Sequence, residues 1–81
     1  MNTIIRLKIK KDIDTATEKK ILKLKGYLIA QSFTDLIHYD DEDEDNYTHY
    51  FTAEASKRKE IVAYIVSYIH EMDIAEVVTI P

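Results

Sequence analysis

Residues 47–72 read YTHYFTAEASKRKEIVAYIVSYIHEM, and within this stretch the spacing of apolar residues changes from two to between three and four. In its first part, Tyr47, His49 and Phe51 occupy alternate positions. A period of two is typical of a half-buried strand, in which successive side chains point to opposite faces. We therefore predict a strand over residues 47–53.

The second part of the stretch, residues 57–72, carries the strongest helical pattern in the chain. Its apolar residues recur at helical spacing: Ile61, Ile65, Tyr68, Ile69 and Met72, widened by Val62 and Val66. Ser56 directly precedes this predicted helix and is its predicted N-cap, because the serine hydroxyl can accept a hydrogen bond from a free backbone N–H group. We expect this helix to pack across a sheet.

The N-terminal segment predicts another strand and helix. Ile5, Leu7 and Ile9 alternate with a second, mostly basic set: Ile4, Arg6, Lys8 and Lys10. A helix should follow over residues 16–25, because residues 12–17 offer several N-caps and Thr15 and Glu18 have the spacing of a capping box. Gly26, the only glycine, stands where a left-handed C-terminal cap is expected.

Two further strands complete the prediction. Residues 27–39 are rich in Tyr, Leu, Ile and Thr, which favours a long strand. The competing interpretation is helical, since Leu28, Ser32 and Leu36 share one helical face. Residues 76–80 are mostly β-branched and predict a short last strand ended by Pro81.

The order βαββαβ in a chain of 81 residues resembles the ferredoxin-like superfold. We therefore expect one α+β domain over residues 1–81, a two-layer sandwich with a four-stranded antiparallel sheet and both helices on one face. The right-handed crossover rule places the first and third strands in the centre of the sheet.

Several function classes are disfavoured by the residues present. The chain has no cysteine, which excludes thiolate metal sites and thiol nucleophiles. Asp41, Asp43 and Asp45 alternate as in a calcium loop, but Asn46 stands at its glycine position and Thr52 at its closing acid. His38 and His49 are expected as solvated neighbours across a hairpin. No nucleophile motif is present, so we expect no enzyme activity, no metal and no cofactor.

The aromatic residues of the third strand and the basic face of the first are residue types that RNA-binding sheets use. An RNA-recognition strand begins with a basic residue and contains glycine, whereas residues 46–53 have neither. The net charge of −4 and the preceding acids repel phosphate. We expect no direct contact with nucleic acid. No apolar run approaches the length of a membrane span, so we also expect no membrane contact and a cytoplasmic location, in the host if the chain is phage-derived.

Charge segregation is the unusual feature of the sequence. Residues 1–27 hold eight basic and three acidic side chains, whereas residues 28–54 hold eight acidic and no basic ones. Six acids are consecutive: Asp40, Asp41, Glu42, Asp43, Glu44 and Asp45. Like charges repel one another and must stay solvated, so this block is expected at a hairpin tip.

The functional hypothesis is a non-enzymatic module that binds a partner protein through these acids, flanked by Tyr39 and Tyr47. Such an array can occupy a basic groove that otherwise holds nucleic-acid phosphates. Small anti-CRISPR and other anti-defence proteins are similar in size and charge, which implies an inhibitor or regulator of that kind. The competing interpretation of the block is a loop that only keeps the chain in solution.

A second hypothesis is a ligand-sensing or assembly domain that works as a homodimer. Its residues of interest are Tyr64, Tyr68 and the basic face of the first strand. A homodimer is expected in either case, because the sheet has edge strands and a small two-layer domain hides only part of its apolar surface.

Overall fold

The computed structural model describes all residues, 1–81, and contains four strands and two α-helices. Their bounds are β1 (Asn2–Lys10), α1 (Thr15–Ala30), β2 (His38–Asp41), β3 (Asn46–Glu54), the 3-10 turn Ala55–Lys57, α2 (Arg58–Glu71) and β4 (Val78–Thr79). The strands form one antiparallel sheet in the order β2-β3-β1-β4. This confirms the predicted fold class, an α+β ferredoxin-like arrangement with β1 and β3 in the centre.

Both helices cover one face of the sheet. Ile5, Leu7 and Ile9 of β1 are buried, while the alternate residues of that strand are exposed or half-buried. They belong to a core of 14 buried apolar residues, to which the helices contribute Ile21, Leu24, Leu28, Ile61, Ile65, Tyr68 and Ile69. The other face of the sheet carries no helix. Neither helix has the length and apolar composition needed to cross a membrane.

The prediction of a strand over residues 27–39 is wrong for most of that range. Helix α1 continues to Ala30, and β2 begins only at His38. Leu24 and Leu28 explain the longer helix, because they lie four residues apart on its inner face and are 1% and 0% exposed. Burial of this pair outweighs the local strand propensity, so the competing helical interpretation holds for residues 27–30.

The predicted helix ends also need correction. Gly26 lies inside α1 on its exposed side and is not a cap, and the left-handed residue after the helix is Ser32, with φ 61°. The N-cap of α1 is Asp14, whose Oδ1 accepts from the Thr17 N–H at 2.7 Å. A carboxylate at this point also interacts favourably with the helix dipole. Ser56 lies within the 3-10 turn and caps nothing.

The remaining predicted elements are found close to their expected places. Strand β3 and helix α2 match residues 47–53 and 57–72 to within one residue at each end. Strand β4 has only two residues, because it pairs with β1 only at Lys8 and Ile9. The helices are linked by the Tyr68 hydroxyl, which donates to the Lys20 carbonyl at 2.7 Å.

Candidate functional site

The acidic residues lie where β2 turns into β3, and only four of them are outside a strand. Asp40 and Asp41 are the last residues of β2, opposite Thr48 and Tyr47 of β3. The segment Glu42–Asp45 forms the turn, and all six acids are exposed. We call residues 40–45 the acidic tip.

Asp43 closes the turn of the acidic tip. Its Oδ1 accepts hydrogen bonds from the backbone N–H groups of Asp45 and Asn46, each at 2.8 Å. Bonding to the ionised form, above all from Asp45, holds the pKa of the Asp43 carboxyl below its usual value. The N–H groups of Glu42 and Asp43 both donate to the Asn46 carbonyl. The tip is therefore a hydrogen-bonded turn with a defined conformation.

Two lysines, one in β1 and one in the loop after it, form ion pairs with the acidic tip. The Lys8 Nζ lies 3.5 Å from a Glu42 carboxylate oxygen, and the other oxygen accepts from the Thr48 hydroxyl at 3.0 Å. Lys11 pairs with Asp41, and this bond raises the pKa of Lys11. The Lys11 backbone N–H also donates to the Asp45 carbonyl at 2.8 Å.

The acids at the tip consequently divide into two groups. The carboxylates of Asp41, Glu42 and Asp43 form ion pairs or hydrogen bonds within the chain. Asp40, Glu44 and Asp45 form no ion pair, and their carboxylates accept no hydrogen bond. These three carboxylates carry the negative charge that is available to another molecule.

Tyr39 and Tyr47 lie beside the acidic tip on the face of the sheet that carries the helices. Asp40 lies on the other face, because it is opposite Thr48, so the predicted site residues are divided between two surfaces. The Tyr39 ring stacks on His49 at 5.5 Å, and Tyr47 meets both rings edge-on, at 5.6 and 6.2 Å. The predicted pairing of His38 with His49 is wrong, since His38 is opposite Tyr50 and stacks on it.

The three rings form one wall of a cleft of about 370 Å³ between α1 and the β2–β3 hairpin. We call it the aromatic cleft. Aliphatic side chains of β1 and α1 form its floor, and Lys11 and Lys25 lie at its sides. The Lys11 Nζ is 5.0 Å from the centre of the Tyr47 ring, within the range of a cation–π contact.

His49 is buried in the wall of the aromatic cleft. The residue is 8% exposed, and its Nδ1 atom is enclosed and has no hydrogen-bond partner. Burial, and to a lesser extent the charge of Lys25, lowers the pKa of His49 to about 4. The imidazole is therefore neutral at neutral pH. Sequence reasoning did not identify this cleft, although Tyr47 and His49 share one face of the predicted strand.

Most residues of the RNA-binding interpretation, and both tyrosines of the second hypothesis, lie outside the acidic tip and the aromatic cleft. On the open face of the sheet, Arg6, Tyr50 and His38 stand in one row across three strands. Tyr47, on the opposite face, cannot join them in stacking bases. Tyr68 is buried and bonded to α1, while Tyr64 stacks on Tyr27 at 4.2 Å, so both of these tyrosines pack the helices together.

The search for metal-ligand clusters and the comparisons with known proteins both gave negative results. No group of three or more His, Asp or Glu side chains is arranged to hold a metal ion. No family model, no curated protein and no solved structure matches the chain. The acidic tip and the aromatic cleft are the two candidate functional sites.

Proposed function

We propose that this chain is a non-enzymatic module that binds a basic surface of a partner protein through the acidic tip. One observation carries the proposal: Asp40, Glu44 and Asp45 remain unpaired at the acidic tip, whose other acids hold it in shape. A loop that only supplied solubility would need no such internal bonding.

The bonds within the turn reduce the cost of binding. A flexible acidic loop would lose conformational entropy when it docks, whereas this turn is already ordered by Asp43, Lys8 and Lys11. Tyr39, which is 62% exposed, adds an aromatic surface beside the charges. Tyrosine is enriched at protein interfaces because it buries a large area with few rotatable bonds.

The chemistry of the partner follows from the charge of the acidic tip. Closely spaced carboxylates imitate the phosphates of a nucleic acid, so the partner surface is a groove lined by lysine and arginine. A protein that fills such a groove blocks access of nucleic acid. An inhibitor of a nucleic-acid-targeting defence enzyme, of the anti-CRISPR kind, would act in this way.

Neutralising the three unpaired acids should strongly weaken capture of the partner without weakening the fold. The tip variant is Asp40→Asn, Glu44→Gln and Asp45→Asn. Its melting temperature should stay the same or rise, because no bond is lost and like-charge repulsion falls. Affinity capture from host cells, quantified by mass spectrometry, compares this variant with the unmodified chain. A bound partner should also be displaced by added nucleic acid.

A matched control separates the position of the charges from the net charge. Asp35→Asn, Glu54→Gln and Glu60→Gln change the charge by the same amount and should leave capture unaltered. Glu54 ends β3 at the far end of the sheet, and Glu60 has only a weak surface pair with Lys57 at 3.9 Å. The proposal fails if the tip variant and this control capture the same partner equally well.

We also propose that the chain forms a homodimer through α1. Pairing two copies of edge strand β2 would bring Asp40 and Asp41 of each copy together, which opposes association there. Helix α1 instead exposes Leu22, at the edge of the aromatic cleft, and Ile29, 55% and 45%, on either side of Gly26. Because glycine has no side chain, two helices can approach closely at Gly26 and bring the flanking apolar side chains into contact.

Sedimentation at micromolar concentration should therefore show a species of twice the 9.5 kDa chain mass. Ile29→Glu places a charge on this exposed position and should give the monomer with an unchanged circular dichroism spectrum. A single 9.5 kDa species for the unmodified chain would rule out the dimer.

A further inference from the structure

We infer that the aromatic cleft binds a small planar aromatic molecule that carries one negative charge, such as an aromatic carboxylate. The inference rests on the rings and the charges that line the cleft. It does not depend on the function proposed for the acidic tip.

The size and lining of the aromatic cleft suit a small ligand. Its volume of about 370 Å³ falls within the range of small-molecule sites, which combine apolar walls with a few convergent polar groups. Tyr39 is packed on His49 and is still 62% exposed, so part of its ring is free. A planar ligand can stack on or meet edge-on the rings of Tyr39 and Tyr47.

The charged side chains around the cleft are mostly positive and favour an anionic ligand. Three lysines line it, against one carboxylate, that of Glu18. Lys11 is already paired with Asp41, whereas Lys25 has no carboxylate within ion-pair distance. Lys25 is half-buried, and this partial removal from water lowers the pKa of its ammonium group. A partly buried cation without a partner is stabilised by an anionic group placed against it.

His49 contributes the surface of its ring to the cleft. Its Nδ1 has no hydrogen-bond partner, but the atom is enclosed by the protein and does not meet a molecule in the cleft. Because the imidazole is neutral, it places no charge of its own against a ligand. An aromatic carboxylate combines the two features that the cleft selects: a ring for the aromatic wall and a charge for Lys25.

The test is an NMR titration of the full chain with three probes. 4-Hydroxyphenylacetate has the ring, the hydroxyl and the charge; 4-hydroxyphenylacetamide lacks the charge, and acetate lacks the ring. We expect 4-hydroxyphenylacetate to shift the ring protons of Tyr39, Tyr47 and His49 saturably at millimolar concentration. The amide should bind about tenfold more weakly, a loss of about 1.4 kcal/mol, and acetate should leave the rings unchanged.

Variants of one helix provide the matched control. Lys25→Met keeps the length of the side chain, removes its charge and should weaken binding of 4-hydroxyphenylacetate about tenfold. Lys23→Met makes the same change at an exposed position outside the cleft and should bind as the unmodified chain does. Titrations without saturation, equal binding of acid and amide, or equal binding by the two variants would each overturn the inference.

Discussion

Replacing Ile65 by alanine should lower the free energy of unfolding by about 2–5 kcal/mol. Ile65 is 0% exposed in the middle of α2 and belongs to the core against which the sheet packs. The substitution removes three carbon atoms from a fully enclosed side chain and leaves a cavity that the neighbouring strands cannot fill. Because small domains have a total stability of about 5–15 kcal/mol, a large part of it would be lost.

The neighbouring residue supplies the control for this experiment. Val66 is 41% exposed on the outer side of the same helix, and Val66→Ala should cost far less. Both variants are compared by urea unfolding at neutral pH. If they unfolded at the same urea concentration as the unmodified chain, the packing of α2 on the sheet would be wrong.

Acidification from about pH 6.5 to about pH 4 should lower the free energy of unfolding by about 1–3 kcal/mol. The pKa of His49 is about 4 in the folded chain and 6.5 when it is free in solution. The unfolded chain therefore binds a proton first, and protonation favours unfolding throughout this interval. The stabilising contribution of neutral His49 is complete above pH 6.5 and is lost as the pH falls toward 4.

His49→Gln should remove this pH dependence, because the amide does not titrate. The unmodified chain, measured over the same range of pH, is the reference. Asp14 and Asp43 have lowered pKa values, so their contributions are lost only at more acidic pH. An identical pH profile for His49→Gln and the unmodified chain would show that His49 is not buried as described.

The elements with an intact hydrophobic period could be predicted from the sequence. In β1, β3 and α2 the apolar positions agree with the face that is buried, so local pattern and tertiary packing favour the same structure. The strand predicted over residues 27–30 is wrong, because Gly26 favours the end of a helix locally and the following residues favour a strand. The buried contact of Leu28 with the core decides the outcome, and that contact depends on distant strands.

The site was only partly predictable for a related reason. The position of the acidic tip follows from like-charge repulsion, which is a local property. Its division into structural and unpaired acids depends on Lys8 and Lys11, which precede it by about thirty residues and are brought beside it by the pairing of β1 with β3. The aromatic cleft combines Lys25 of α1 with His49 of β3, and no sequence spacing relates those two.

The turn geometry also changes the choice of variants. The alternating acids Asp41, Asp43 and Asp45 are an obvious set to neutralise from the sequence. Asp41 pairs with Lys11, and Asp43 accepts from two backbone N–H groups. A loss of binding in that set would therefore mix lost charge with a disturbed turn, whereas Asp40, Glu44 and Asp45 report on charge alone.

The most direct test of the proposed function is the association rate of the captured partner, measured over a range of ionic strengths. Exposed charges are screened beyond about 8 Å at physiological salt, so steering by the three unpaired carboxylates should weaken as salt rises. We expect the rate for the unmodified chain to fall steeply with ionic strength, and the rate for the tip variant to be lower and nearly independent of it. Equal salt dependence for the two proteins would contradict recognition through the acidic tip.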